Sequence, residues 1–175
     1  MKNPLIYVKN AVLVACFRMR YLGSVKMGVI QSFERIRIEK SAKKGSIIMG
    51  SYNQNREKLY IGVDGGQLTI GNHCFFNINS SITCIDKITI GNNCKFGNNL
   101  VIVDHDHNYK ASDPEFLGSA IEIGNNVWCG ANVVILRGST IGDNCVVGAG
   151  SVVKGNYPAG SLICGDRAKI VRAIK

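Results

Sequence analysis

From Ile123 to Val153 the chain repeats itself every six residues. The blocks read I-G-N-N-V-W, C-G-A-N-V-V, I-L-R-G-S-T, I-G-D-N-C-V and V-G-A-G-S-V, and a new one opens at Val153. Ile123, Cys129, Ile135, Ile141, Val147 and Val153 open the blocks; Val127, Val133, Ser139, Cys145 and Ser151 hold the fifth place. A period of six is neither the 3.6 of a helix nor the alternation of a lone strand. One short strand and one tight turn use six residues, so three blocks close a triangular coil. The opening residue then points inward and stacks on its equivalent one coil later. A coil cannot bury its apolar edge alone, so stacking must supply the core. Gly124, Gly130, Gly142 and Gly148 follow the opening residues. They are expected to let the backbone bend, because glycine tolerates positive φ. Asn or Asp at 125, 126, 132, 143 and 144 suits the turns.

These motifs resemble the hexapeptide-repeat acyltransferases. The run N-N-V-W-C-G-A-N-V-V-I-L-R-G followed by I-G-D-N-C-V-V-G-A-G-S-V-V is similar to the sugar O-acetyltransferase branch, which includes galactoside, maltose and capsule or O-antigen acetyltransferases. The resemblance covers residues 60 to 172. It implies an all-β fold, a left-handed parallel β-helix with an N-terminal helical segment and one long excursion loop. It also implies homotrimers whose active sites lie between adjacent β-helices, with acetyl-CoA as donor and no metal.

Seven cysteines with no C-x-x-C pair indicate reduced core thiols rather than a disulfide framework. Cys74, Cys94 and Cys145 fall at the fifth repeat position and Cys129 opens a block, so all four are expected inside. The net charge of +9 is uneven: residues 1–44 hold ten Lys/Arg and two Glu, while residues 45–175 hold eleven Lys/Arg and ten acids. A basic N-terminal segment points to an anionic surface. Since the same segment is apolar and carries no nucleic-acid motif, membrane is the better match.

Residues 1–33 form the first unit. Asn3 and Pro4 suit a helix start, and the apolar residues from Leu5 to Phe17 fit a helical face. The run Ala11–Phe17 is far short of the ~20 residues that span a bilayer. No secretory cleavage site is evident, so a cytoplasmic location is expected. This segment either caps the open first coil or anchors the chain to anionic lipid through Lys2, Lys9, Arg18, Arg20 and Lys26; the two roles are compatible. Residues 34–172 form the β-helix domain, with imperfect coils before Ile70. The repeats run through Ile70, Phe76 and Ile82, slip by two residues near Cys84–Asp86, and resume at Ile90, Phe96 and Ile102. Residues 103–120 then match no hexapeptide. A long excursion between regular stretches is where function tends to sit.

That excursion carries D-H-D-H at 104–107, two of the chain's three histidines. Acyl transfer to a hydroxyl needs a base near neutral pH, which suits histidine. Alternation along an extended segment would send His105 and His107 one way and Asp104 and Asp106 the other. The carboxylate that orients the base would then come from elsewhere. In the resembled family the catalytic histidine lies seventeen residues after the Ile of the preceding I-G. Counted from Ile90 that is His107, with His105 as the alternative. The resemblance also implies Asn77 and Asp86 around the acceptor and Trp128 lining the active site toward both acceptor and donor; on the excursion itself, Tyr109 and Phe116 either line an acceptor pocket or pin the loop down. For coenzyme A it implies backbone amides at Ala131 and Ala149, with Lys154 nearby, and phosphate contacts from Lys169 and Arg172, to which Arg167 is added. As turn residues Asn77 and Asp86 have a purely structural alternative, and each cation could simply be a solvated charge.

Three other functions compete. A different acceptor (an antibiotic hydroxyl, serine or an amino-sugar nitrogen) would use the same fold and histidine. A γ-carbonic-anhydrase-like zinc enzyme would need His73, His105 and His107 to converge. A non-catalytic scaffold would have no use for the excursion. The reading that absorbs most features is a trimeric acetyl-CoA:carbohydrate O-acetyltransferase of bacterial surface polysaccharide synthesis. It would work at the inner face of the membrane, on an acceptor that can be lipid-linked.

Overall fold

The computed structural model describes residues 4–41, 44–108 and 116–166 and the backbone of 169–173. Its strands form three parallel faces of a triangular prism. The first face stacks Val25–Met27, Ser46–Met49, Gln67–Ile70, Lys87–Ile90, Ile121–Ile123, Thr140–Ile141 and Asn156–Tyr157. The second stacks Gln54–Asn55, Phe75–Phe76, Lys95–Phe96, Trp128–Cys129, Val146–Val147 and Ser161–Cys164. The third stacks Ile36–Lys40, Leu59–Val63, Ser80–Cys84, Val101–Val103, Val134–Leu136 and Val152–Val153. The last strand, Lys169–Ala173, turns back antiparallel on Ser161–Cys164 and ends the second face. This is the expected parallel β-helix.

The register confirms the repeat. Ile123 pairs with Ile141, Cys129 with Val147 and Ile135 with Val153, so each step up the prism is three hexapeptides. Opening and fifth-place residues all lie in the core, including Cys74, Cys94, Cys129 and Cys145, each 0% exposed. The earlier coils are slightly longer than three hexapeptides: Ile70 pairs with Ile90 and Phe76 with Phe96.

The turn chemistry divides differently from the expectation. Left-handed backbone falls to the fourth place of each block, held by Asn126, Asn132 and Asn144 at φ of 57°, 58° and 58° and by Gly138 and Gly150 at 74°. Gly124 and its equivalents are needed for another reason, close approach. A Cβ on Gly124 would sit 2.3 Å from Asp143 Oδ1 and 2.7 Å from the Asp143 nitrogen in the next coil. Side chains at the neighbouring place form a ladder up the same corner. Asn92 Oδ1 accepts from the Asn72 amide at 2.8 Å, and Asn125 Oδ1 from the Asn92 amide at 2.9 Å. Asp143 Oδ1 accepts from the Asn125 amide at 2.6 Å.

The N-terminal helix, α1 (Leu5–Arg20), follows Pro4 at its cap position, and Arg18 and Arg20 complement the dipole at its last turn. Asn10 and Val14 are buried, and Leu13, Phe17 and Tyr21 lean on the core. Asn10 exchanges hydrogen bonds with Phe33: its amide donates to the Phe33 carbonyl at 3.0 Å, and the Phe33 N–H returns one at 3.2 Å. A polar side chain thus satisfies backbone groups of the first coil, which has no coil before it. The first strand, Val25–Met27, lies N-terminal to residue 34, so coil formation starts within the first unit marked from the sequence.

Candidate functional site

One corner of the prism is built differently from the rest. Ile102 pairs with Ile135, whereas a coil of three hexapeptides would have brought Ala120 to that place. The extra chain leaves at the corner between the third and first faces and begins as a hairpin. His105–His107 runs antiparallel to Phe116–Gly118, with His107 opposite Phe116. Its base closes where the Ser119 N–H donates to the Asp104 carbonyl at 2.9 Å. Both histidines pack on Phe116, His105 edge-on at 5.1 Å and His107 tilted at 4.6 Å between ring centroids. His107 is exposed and His105 half-buried.

Asp104 is the anchor of this corner. It is fully buried, and its carboxylate collects donors from two directions. The Ile85 N–H donates to both oxygens at 2.9 and 3.2 Å, and the Asp86 N–H to Oδ2 at 2.9 Å. His105 Nδ1 lies 3.0 Å from Oδ1. Ile85 and Asp86 belong to the two-residue phase slip, so Asp104 pins the irregular turn of the coil beneath and orients His105 in the same act. The expected alternation fails here because Asp104 sits at the corner, outside the strand. Among the ring's two nitrogens, Nδ1 donating to a carboxylate leaves the Nε2 lone pair outward. Alternation does hold at Asp106, which turns to Arg137 on the next coil. Arg137 Nε donates to Asp106 Oδ2 at 2.5 Å and holds that carboxyl below its usual range.

His105 and Phe116 edge a cleft of about 440 Å³ that runs along the earlier coils of the third face past Thr83, Asp64, Tyr60 and Glu39. The Tyr60 hydroxyl donates to Glu39 at 2.8 Å, which lowers the carboxyl, as does Arg37, and raises the phenol. The cleft surface is mostly apolar, with aromatic rings at Tyr60 and Phe116 and a few hydrogen-bonding groups at Glu39, Asp64, Thr83 and His105, the mix of a ligand pocket.

Of the residues expected at the site, Asp86 lies beside the hairpin. A Cβ on Gly118 would fall 2.9 Å from the Asp86 Cβ. Lys154 lies on the same corner, close enough to Asp106 to lower its carboxyl. Trp128 is elsewhere: it stands 54% exposed on the second face, opposite the hairpin's corner, beside a hollow of about 610 Å³ shared with His73, Asn93, Lys95 and Asn126. Asn77 lies at the corner that follows the second face, its carbonyl accepting from the Ser80 hydroxyl at 3.0 Å. Ala131 and Ala149 occupy that corner on successive later coils, where the Gly150 N–H donates to the Ala131 carbonyl at 2.9 Å. Neither alanine's own N–H has an acceptor among the described residues, as a ligand's carbonyl would require. Tyr109 and Arg167 lie outside the described residues, as do the side chains of Lys169 and Arg172. His73 stacks on Tyr52 at 4.7 Å, far round the prism from the other two histidines, and no cluster of three metal-ligating side chains occurs among the described residues.

Residues 120–155 match the bacterial transferase hexapeptide model (six repeats), and residues 67–103 match the hexapeptide repeat of succinyl-transferase. Both stretches carry the hexapeptide repeat of bacterial transferases. The putative lipopolysaccharide biosynthesis O-acetyl transferase WbbJ of Escherichia coli K12 is 39% identical over 103 residues, covering 52% of this chain and 53% of that protein. The galactoside O-acetyltransferase of the same organism is 37% identical over 113 residues, covering 63% and 56%. The chain thus spans about half the length of these curated relatives. A crystal structure of a hexapeptide-repeat acetyltransferase from Vibrio cholerae superposes with a TM-score of 0.60 at 28% identity, covering 70% of this chain and 71% of that one. In this hexapeptide-repeat chain the two model matches flank the hairpin and leave it out.

Sequence reasoning misses two residues here. Arg137 sits at the third place of an ordinary block, so nothing marks it as the partner of Asp106. The alternation argument sets Asp104 aside, although its place at the end of a broken repeat is a signal in its favour.

Proposed function

We propose that this chain is an acetyl-CoA-dependent O-acetyltransferase acting on a sugar hydroxyl of a bacterial surface polysaccharide. The observation that carries this reading is the hairpin: the coil is broken at one corner, and there His105, held by the buried Asp104 carboxylate, lines a cleft, with His107 on the same strand. The names of the curated relatives support acetyl transfer to carbohydrate. His107, exposed and engaged among the described residues only with the Phe116 ring, is the general base. It takes the proton of the acceptor hydroxyl as the oxygen attacks the thioester carbonyl. The C–S bond breaks, and the proton passes to the departing sulfur. A second assignment within the same reaction has its own observation, since Asp104 fixes the His105 tautomer and His105 lines the cleft.

The donor is a substrate held by the amides of Ala131 and Ala149, with Lys154, Lys169 and Arg172 toward its phosphates. Trp128, Asn77 and these alanines lie away from the hairpin within one chain. A homotrimer that sets the second face of one protomer against the hairpin of the next would complete the site. With acetyl-CoA as donor, the reaction belongs on the cytoplasmic side of the membrane. The test is free-thiol release from acetyl-CoA in the presence of a panel of mono- and oligosaccharides, with sedimentation equilibrium for the assembly. Acceptor-dependent release by a trimer supports the reading. Failure to bind coenzyme A overturns it.

A further inference from the structure

The α1 helix is apolar on two opposite faces. One face, with Val14, Leu13 and Phe17, closes the first coil. At 3.6 residues per turn, Leu5, Val8, Val12, Ala15, Cys16 and Met19 share the opposite face. That stripe is open to solvent: Leu5 is 70% exposed, Val8 65%, Val12 60% and Met19 65%. Leu22, just past the helix end, is 85% exposed, and Val29 and Ile30 follow at 49% and 43%. An isolated exposed leucine needs no explanation, but a continuous stripe along a whole helix does. The charges around it have one sign. Lys9 and Arg20 border the stripe on one side and Arg18 on the other, and no Asp or Glu occurs before Glu34.

We infer that this face of α1 binds an anionic lipid surface, with the helix lying in the plane of the interface and the N-terminal end of the prism toward the bilayer. A helix of 16 residues is only ~24 Å long, short of the ~30 Å hydrocarbon core, and Lys9 lies within its span. No described helix is long and apolar enough to cross a membrane. A basic helix with an apolar stripe instead settles at the headgroup boundary, where apolar burial and attraction to anionic lipid add. A second copy of the chain fits the stripe less well. Two such faces in contact would bring Lys9, Arg18 and Arg20 together with no acid in either helix to pair them. Residues 45–175 hold eleven Lys/Arg against ten acids, so attraction to an anionic surface is concentrated at this end of the molecule. This inference stands on the helix alone and does not depend on the transferase reading.

The test is co-sedimentation of the full chain with vesicles of phosphatidylcholine alone and of phosphatidylcholine with phosphatidylglycerol. The expected result is binding to the anionic vesicles at least ~10-fold tighter than to the neutral ones, weakening as salt is raised. Lys9→Ala should weaken it about fivefold, the worth of one basic residue near an anionic surface. Val8→Glu with Val12→Glu should abolish it while the melting curve stays as in wild type, because both residues are exposed. Equal binding to both vesicles, no binding at low salt, or unchanged binding by the double variant would each overturn the inference. So would a drop in the oligomer mass of the double variant in sedimentation velocity, which would assign the stripe to a second copy of the chain.

Discussion

Replacing Asp104 by Asn separates the two jobs of that carboxylate. The native oxygens receive N–H groups from Ile85, Asp86 and His105. An Asn side chain has one acceptor oxygen and one NH2 group. Placed at the Oδ2 position, its oxygen can keep the Asp86 N–H and the longer Ile85 contact. The NH2 then faces His105 Nδ1 and donates to it. The corner survives with neutral bonds in place of charge-assisted ones, a loss of about 1–3 kcal/mol. For a chain of this size that lowers the melting temperature by about 2–12 °C. Asp104→Ala should cost more, because it leaves both backbone N–H groups buried without an acceptor, each about 1–3 kcal/mol. Melting followed by circular dichroism checks the order wild type, Asn, Ala. The Asn variant also reverses the His105 tautomer, putting the proton on Nε2. With His107 as base, turnover of the folded Asn variant should stay within about tenfold of wild type. Melting of the Ala variant within about 1 °C of wild type would refute the anchoring argument. A loss near the ~10⁴-fold of a wrong-tautomer variant, with the fold intact, would refute the assignment to His107 and move the base to His105.

Two further outcomes follow from the packing. Gly124→Ala puts a methyl 2.7 Å from the Asp143 nitrogen and 2.9 Å from the Gly142 carbonyl carbon, so adjacent coils must part. A cost of about 1–3 kcal/mol should appear as a melting temperature lower by about 2–12 °C, and an unchanged one would contradict the close-approach reading. Thiol labelling of the native protein should modify Cys16 rapidly, since it is exposed, and leave Cys129 and Cys84 untouched until denaturant is added. Burial pushes both of those thiols up, and at Cys84 the Asp104 carboxylate adds to the effect, so neither supplies thiolate in the folded state. Rapid loss of Cys129 would mean that the coil opens.

The coils are legible because a six-residue period repeats one physical demand, and each repeat tests the last. The buried places of Ile123, Cys129 and Val127 can be named from that period alone. Glycine's role is not legible, for a local reason. Its freedom of φ is a property of the residue, whereas the 2.3 Å approach of Asp143 at Gly124 is a property of the next coil up the prism. The excursion shows as a break in the period, and its histidines by their chemistry. Their partners stay hidden because the hairpin has no repeat to count along. Arg137 reaches Asp106 across 31 residues, and Asp104 reaches Ile85 across 19. The separation of Trp128 from the hairpin emerges only once the faces are assembled, because neighbouring stretches of chain fall on opposite sides of the prism.

In the proposed reaction a histidine on this hairpin removes the proton of a sugar hydroxyl. The most direct measurement is acceptor-dependent thiol release from acetyl-CoA by wild type, His107→Ala and His105→Ala under identical conditions, with coenzyme A binding measured alongside. His107→Ala is expected to bind coenzyme A as wild type does and to lose about 10²–10⁴-fold in turnover, the worth of a general base, and His105→Ala to lose less. Turnover that survives in both variants would remove the hairpin from the chemistry.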